Sequence, residues 1–124
     1  MASIINILCV ILFVSLMSQG SLQQQCEIKD LKINQKPTGK NVNNKPEWTA
    51  TISNNCICTQ MNVQLSCKGF QTEEPVDPSL LSKSGDLCLI NNGLPIYGFR
   101  SISFVYAWDA PFAFKTSYSE IACS

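Results

Sequence analysis

Cys56, Cys58 and Cys67 lie in the stretch SNNCICTQMNVQLSC, residues 53–67, and a single isoleucine separates the first two. Thiols this dense can ligate a metal, run a redox cycle or form structural disulfides. Thiolate zinc sites usually pair two C-x2-C knuckles, and this chain has one C-x-C with no second pair. A redox centre is normally C-x-x-C beside a βαβ unit, for which the chain shows no pattern. In extended backbone Cys56 and Cys58 point to the same face about 6–7 Å apart, at the limit of disulfide reach and with poorly converging side chains. They are therefore expected to bond to two different, distant cysteines.

The other reactive groups narrow the chemistry further. There is no histidine, which removes Ser-His-Asp and Cys-His catalysis, the commonest zinc ligand and the usual proton shuttle. Two carboxylates alone can hydrolyse a glycoside, and Glu47, Glu73, Glu74, Asp77, Asp86, Asp109 and Glu120 are the candidates. Glu73 and Glu74 are neighbours in a loop, Asp77 reads as a cap, and no spacing brings two of the others together. The expectation is no enzyme, no cofactor and no metal.

The cysteine count depends on the N-terminus. Residues 4–17 are apolar apart from Asn6 and Ser15, and the first twenty residues carry no charge. The run is short for a membrane span and fits a secretory signal, with Ser18-Gln19-Gly20 as a small-residue cleavage site. Residues 1–20 are thus expected to be a signal peptide, and 21–124 a single domain in an extracellular, oxidising compartment. Loss of Cys9 leaves six cysteines, Cys26, Cys56, Cys58, Cys67, Cys88 and Cys123, an even set suited to disulfides. Three bridges at roughly 2–4 kcal/mol each are a large share of the stability of so small a domain.

Nine basic and nine acidic side chains cancel, which argues against nucleic-acid binding. Lys29, Lys32, Lys36, Lys40 and Lys45 crowd the first quarter of the mature chain; they suit a solvated edge, or a docking patch for an acidic partner.

Positioning falls to strands, since alternation is clear and helical periodicity is not. Trp48, Ala50 and Ile52 alternate with polar residues, as do Met61, Val63, Leu65 and Cys67; Ile102, Phe104, Tyr106 and Trp108 form a third set. Each reads as a half-buried strand. Phe112 and Phe114 continue in phase to Tyr118, giving a last strand ending near Cys123. Ile28, Leu31 and Ile33 slip phase at Asp30, which predicts a bulged first strand. Pro37-Thr38-Gly39 and residues 43–46 read as loops, Asn91-Asn92-Gly93 as a tight turn, and Asp77 as the cap of one helical turn through Leu81. The fold predicted is an all-β antiparallel sandwich, immunoglobulin-like or related, of six or seven strands stapled by three disulfides. Six cysteines allow 15 pairings. The strand layout puts Cys26, Cys56 and Cys58 at one end and favours Cys67 with Cys88. The aromatics are core by default, while Tyr97 beside Gly98 and Trp108 before Asp109 are candidates for exposure, able to stack on sugars or anchor an interface.

The order TGK, NKPEW, NNC-x-C-TQ, V-x-L-x-C-x-GF, VDPS, CL-x-NNG-x-PI-x-GF, SF-x-YAW and IAC spans Cys26 to Cys123. It resembles the TAPETUM DETERMINANT-like family of small secreted cysteine-rich plant proteins, in its short branch. The resemblance implies an extracellular ligand, because founding members bind the ectodomain of a leucine-rich-repeat receptor kinase and specify the anther tapetum. On that basis the chain is expected to be an apoplastic receptor ligand, with Lys36, Lys40, Lys45, Tyr97 and Trp108 as partner-binding candidates. The alternative is a non-catalytic module binding wall carbohydrate.

Overall fold

The computed structural model describes residues 25–123, so the expected signal peptide at residues 1–20 lies outside the described residues. Among the described residues seven strands form two antiparallel sheets, the all-β architecture expected from the sequence. One sheet orders β1 (Leu31–Val42), β2 (Lys45–Asn54) and β6 (Ser101–Ala107) as β1-β2-β6. The other orders β4 (Leu81–Ser84), β5 (Leu87–Ile90), β3 (Thr59–Ser66) and β7 (Lys115–Ala122) as β4-β5-β3-β7. The chain changes sheet between β2 and β3, along the C-x-C segment.

The inward phase of each strand supplies the core. Ala50 and Ile52 of β2, Val63 and Leu65 of β3, Ile90 of β5 and Phe104 and Tyr106 of β6 are all buried in one cluster. Phe70 and Phe114 close it in edge-on ring contacts with Tyr106, at 5.4 and 5.9 Å. The Tyr106 hydroxyl is not wasted in this apolar setting. It donates to Gln35 and accepts from the Phe112 amide at 3.1 Å, while Gln35 Nε2 donates to the Phe112 carbonyl at 2.6 Å. Burial pushes the phenol's pKa up, so it keeps its proton for the bond to Gln35.

Several local expectations are corrected. Residues 28–30 form a 3-10 turn before β1 instead of a bulged strand. Asp30 Oδ2 accepts from the Glu27 amide at 2.8 Å, a local bond that competes with extended pairing. The irregularity lies further on: β1 runs through Pro37-Thr38-Gly39, and its register against β2 breaks between Pro37 and Asn41. An edge strand tolerates both the proline and the extra residues there. The 43–46 loop shrinks to two residues, Asn43 and Asn44, both at positive φ, which suits a tight hairpin. The last strand starts at Lys115, after Phe112 and Phe114. Register breaks against β3 shift its phase, leaving Tyr118 exposed and Ser119 turned inward to Gln60. Asp77 does cap a single turn: its Oδ1 accepts from the Ser79 amide and its carbonyl from the Leu80 amide, each at 2.9 Å.

Tyr106→Phe removes only the hydroxyl and orphans the Gln35 and Phe112 groups it serves. It is expected to lower stability by about 1–3 kcal/mol in urea denaturation; an unchanged midpoint would show that the hydroxyl is dispensable.

Candidate functional site at the disulfide-closed end

All six cysteines of the described residues pair in disulfides. Cys26 bonds Cys56, Cys58 bonds Cys123, and Cys67 bonds Cys88. Cys56 and Cys58 take different distant partners and Cys67 takes Cys88, as the strand layout favours. With all six sulfurs oxidised, no thiolate of this set is left for a metal or a redox cycle. Two bridges lie side by side: the Sγ atoms of Cys26, Cys58 and Cys123 all fall within 4.8 Å of one another, and the Cys58 amide donates to Cys26 Sγ at 3.4 Å.

Two fully buried amide side chains sit beneath the bridges. Asn54, the last residue of β2, donates through Nδ2 to the carbonyls of Cys58 at 2.8 Å and Ile96 at 3.0 Å. Its Oδ1 accepts from the Cys56 amide at 3.2 Å. Gln60 donates to the Glu27 carbonyl at 3.2 Å and accepts from Ser119 Oγ at 2.7 Å. Backbone bonds complete the frame. Phe99 N–H donates to the Asn54 carbonyl, the Asn54 N–H to the Arg100 carbonyl, and Gln60 and Ile96 exchange both bonds. Buried polar groups satisfied this fully rigidify what they connect: here the C-x-C segment, the chain start and the 95–100 segment.

This frame presents apolar side chains to solvent. Because Cys56 and Cys58 turn inward to their bridges, Ile57 between them turns out and is 68% exposed. Tyr97 is 63% and Phe99 71% exposed on the adjacent segment. Gly98 joins the two loops: a Cβ there would lie 2.2 Å from the Ile57 carbonyl oxygen, so only glycine permits the approach.

The other sequence candidates lie elsewhere. Lys36 sits on the outer face of β1 beside a shallow hollow of about 250 Å³ lined also by Asn34, Thr49, Thr51 and Ser53. Lys40 lies in the β1 irregularity. Lys45 pairs with Asp109 at 2.8 Å and stands 5.1 Å from the centre of the Trp108 ring, which also stacks on Phe112. The structure thus groups Lys40, Lys45 and Trp108 toward the β1–β2 hairpin and sets Tyr97 at the opposite end. Ile57 and Phe99 are additions to the sequence candidates. The signal for Ile57 was present, since two inward cysteines force the residue between them outward.

The hairpin end also holds a carboxyl pair that no spacing announced. Glu47 is only 5% exposed and accepts from Thr38 Oγ1 at 2.8 Å. A hydrogen bond with Glu74, and then the one from Thr38, hold the Glu47 pKa below the usual carboxylate value. The same contact with Glu47, then burial, raises that of Glu74, against the pull of Lys40. Glu74 Oε2 is buried and has no hydrogen-bond partner among the described residues. Each group is the main cause of the other's shift, so the two carboxyls are close neighbours. They brace the 72–74 segment against β2 and β6, where Glu73 N–H donates to the Ala107 carbonyl and Ala107 N–H to Thr72 Oγ1.

Fold and bridges together define a small, cysteine-rich, disulfide-stapled β-domain. Residues 27–124 match the family described as Tapetum determinant 1, C-terminal, and the chain belongs to that family. It is 29% identical over 103 residues to TPD1 protein homolog 1 of Arabidopsis thaliana, covering 81% of this chain and 56% of that protein. It is 32% identical over 80 residues to TPD1 protein homolog 1B of Oryza sativa subsp. japonica, covering 63% and 46%. The chain spans about half the length of these relatives. No solved structure matches it.

Asn54→Ala strands the amide and carbonyls that Asn54 serves; a loss of about 2–3 kcal/mol is expected in urea denaturation, and a change below ~0.5 kcal/mol would contradict the buried network. The carboxyl pair sets a pH dependence. The raised pKa of Glu74 contributes stability below the ordinary carboxylate pKa, lost as pH rises through its folded value. The lowered pKa of Glu47 contributes stability above the ordinary value, lost as pH falls through its own folded pKa. Urea midpoints from pH 4.5 to 8 are expected to fall on the alkaline side for the native chain and to stay flatter for Glu74→Gln, which does not titrate. Parallel profiles would contradict the raised pKa of Glu74.

Proposed function

We propose that this chain is a secreted signalling ligand of the plant extracellular space, read by the ectodomain of a leucine-rich-repeat receptor kinase. The role is developmental, of the anther and tapetum cell-fate type that the family resemblance implies. The observation that carries the reading is the double-stapled end, where two adjacent disulfides and two buried amides immobilise loops bearing exposed apolar side chains. A protein that acts by being recognised benefits from such preorganisation, because little order remains to be imposed on binding. Three disulfides in one small domain suit an oxidising compartment and hence secretion. Membership of the Tapetum determinant 1 family and the similarity to TPD1 homologues of Arabidopsis and rice support the same assignment. Wall-carbohydrate binding through Trp108 is less favoured, because Lys45 and Phe112 already engage that ring.

The oxidised domain, residues 21–124, is expected to be retained by at least one member of a panel of immobilised leucine-rich-repeat receptor ectodomains, and to lose that retention after reduction and alkylation. Retention by none of the panel would overturn the reading.

A further inference from the structure

We propose that Ile57, Tyr97 and Phe99 are the anchor of the receptor interface, inserting as a convex tip into a concave, apolar-lined face of the ectodomain. The inference rests on the ligand reading above and assigns its docking surface.

Three observations select this tip. Its side chains are the most exposed large apolar groups at the stapled end, at 68%, 63% and 71%, and clustered exposed apolar groups on a small soluble domain mark interaction sites. They are carried by a rigid frame, so insertion orders little that is not already ordered. Phe99 also holds φ at +61°, a left-handed conformation that a bulky aromatic rarely adopts. Folding gains nothing evident from keeping an aromatic there, since the ring is in solvent. Unfavourable backbone beneath an exposed aromatic is the pattern of a site kept for binding.

The occupant follows from charge and area. Glu27 and Asp30 on the flanking segment oppose Lys29 and Arg100, and Lys29 is paired to Glu27 at 3.0 Å. A rim of two acids and two bases offers no net attraction to an anionic membrane or another polyanion. Three side chains about two-thirds exposed offer on the order of 300–400 Å², well short of the roughly 800 Å² per partner of a stable interface. Two convex tips meeting across a two-fold axis bury too little. A concave partner that encloses the tip and also reaches the rim can make up the area, and solenoid repeat proteins present such extended concave surfaces. Aromatic and aliphatic anchors desolvated at the centre, with a polar rim around them, are the arrangement of interface hot spots.

The test uses the oxidised domain, the ectodomain that captures it, and three variants. Phe99→Gly relieves the backbone while removing the ring. It is expected to melt no lower than the native chain yet to bind at least tenfold more weakly. The triple change Ile57→Ser, Tyr97→Ser and Phe99→Gly is expected to abolish capture while keeping the native circular dichroism and six oxidised cysteines. Lys68→Ser, exposed just after β3 at the far end of the sandwich, is expected to bind within twofold of the native chain. If the native chain is captured and the triple variant binds within twofold of it, the ligand reading stands and this docking surface falls. A native dimer in sedimentation that the triple variant dissolves would make a second copy the occupant. Partition onto phosphatidylcholine–phosphatidylserine vesicles, lost in the triple variant, would make it a membrane; either result overturns the proposal. If the native chain is captured by no ectodomain, the ligand reading falls and this inference with it.

Discussion

The closure of one end of the sandwich by a single three-residue segment, Cys56-Ile57-Cys58, is the constraint on which the rest depends. Cys56 holds Cys26 near the start of the described chain, and Cys58 holds Cys123 at its end. Both ends of the described residues are therefore tied to one point. The second bridge also secures β7, an edge strand whose pairing with β3 is broken twice. A domain of about 100 residues buries too little surface to be generous with stability. Cross-links closing 30 and 65 residues reduce the freedom of the unfolded chain where the core cannot compensate.

The two ends use their polar groups in opposite ways. At the hairpin end the residues capable of chemistry are occupied with one another: Glu47 with Glu74 and Thr38, and Lys45 with Asp109 and Trp108. At the stapled end the polar groups lie underneath, as Asn54 and Gln60, and the surface left above them is apolar. Exposed apolar groups standing on the most cross-linked region are what the proposed ligand role rests on. That asymmetry, more than any missing catalytic residue, directs the functional reading.

Much of this was legible in the sequence, for identifiable reasons. The period-two pattern of β2, β3 and β6 places Ala50, Ile52, Val63, Leu65, Phe104 and Tyr106 in the core, because a one-residue slip would turn each set to solvent. The C-x-C spacing puts a mutual bridge at the limit of disulfide reach and so points to two distant partners, and the strand layout favours Cys67 with Cys88, the pairs the structure shows. What escaped depends on contacts between distant segments. The four-residue strands β4 and β5 carry too few alternations to register. Pro37 and Gly39 read as a loop because their tolerance comes from edge position, which a local pattern does not reveal. Glu47 and Glu74 stand 27 positions apart and meet only because the 72–74 segment crosses the end of β6. Phe99 reads as one more core aromatic, and only the bond of its amide to the distant Asn54 carbonyl, with the turn it fixes, places the ring outside.

The central claim is that the stapled end is a rigid platform, and native-state hydrogen exchange of the oxidised domain tests it most directly. The account predicts that the amides of Asn54, Gln60, Ile96 and Phe99 exchange as slowly as those of Ile52 and Phe104 within the β2–β6 ladder, opening only with global unfolding. Exchange of the Ile96 and Phe99 amides at rates typical of an unconstrained loop, with the ladder still protected, would contradict it.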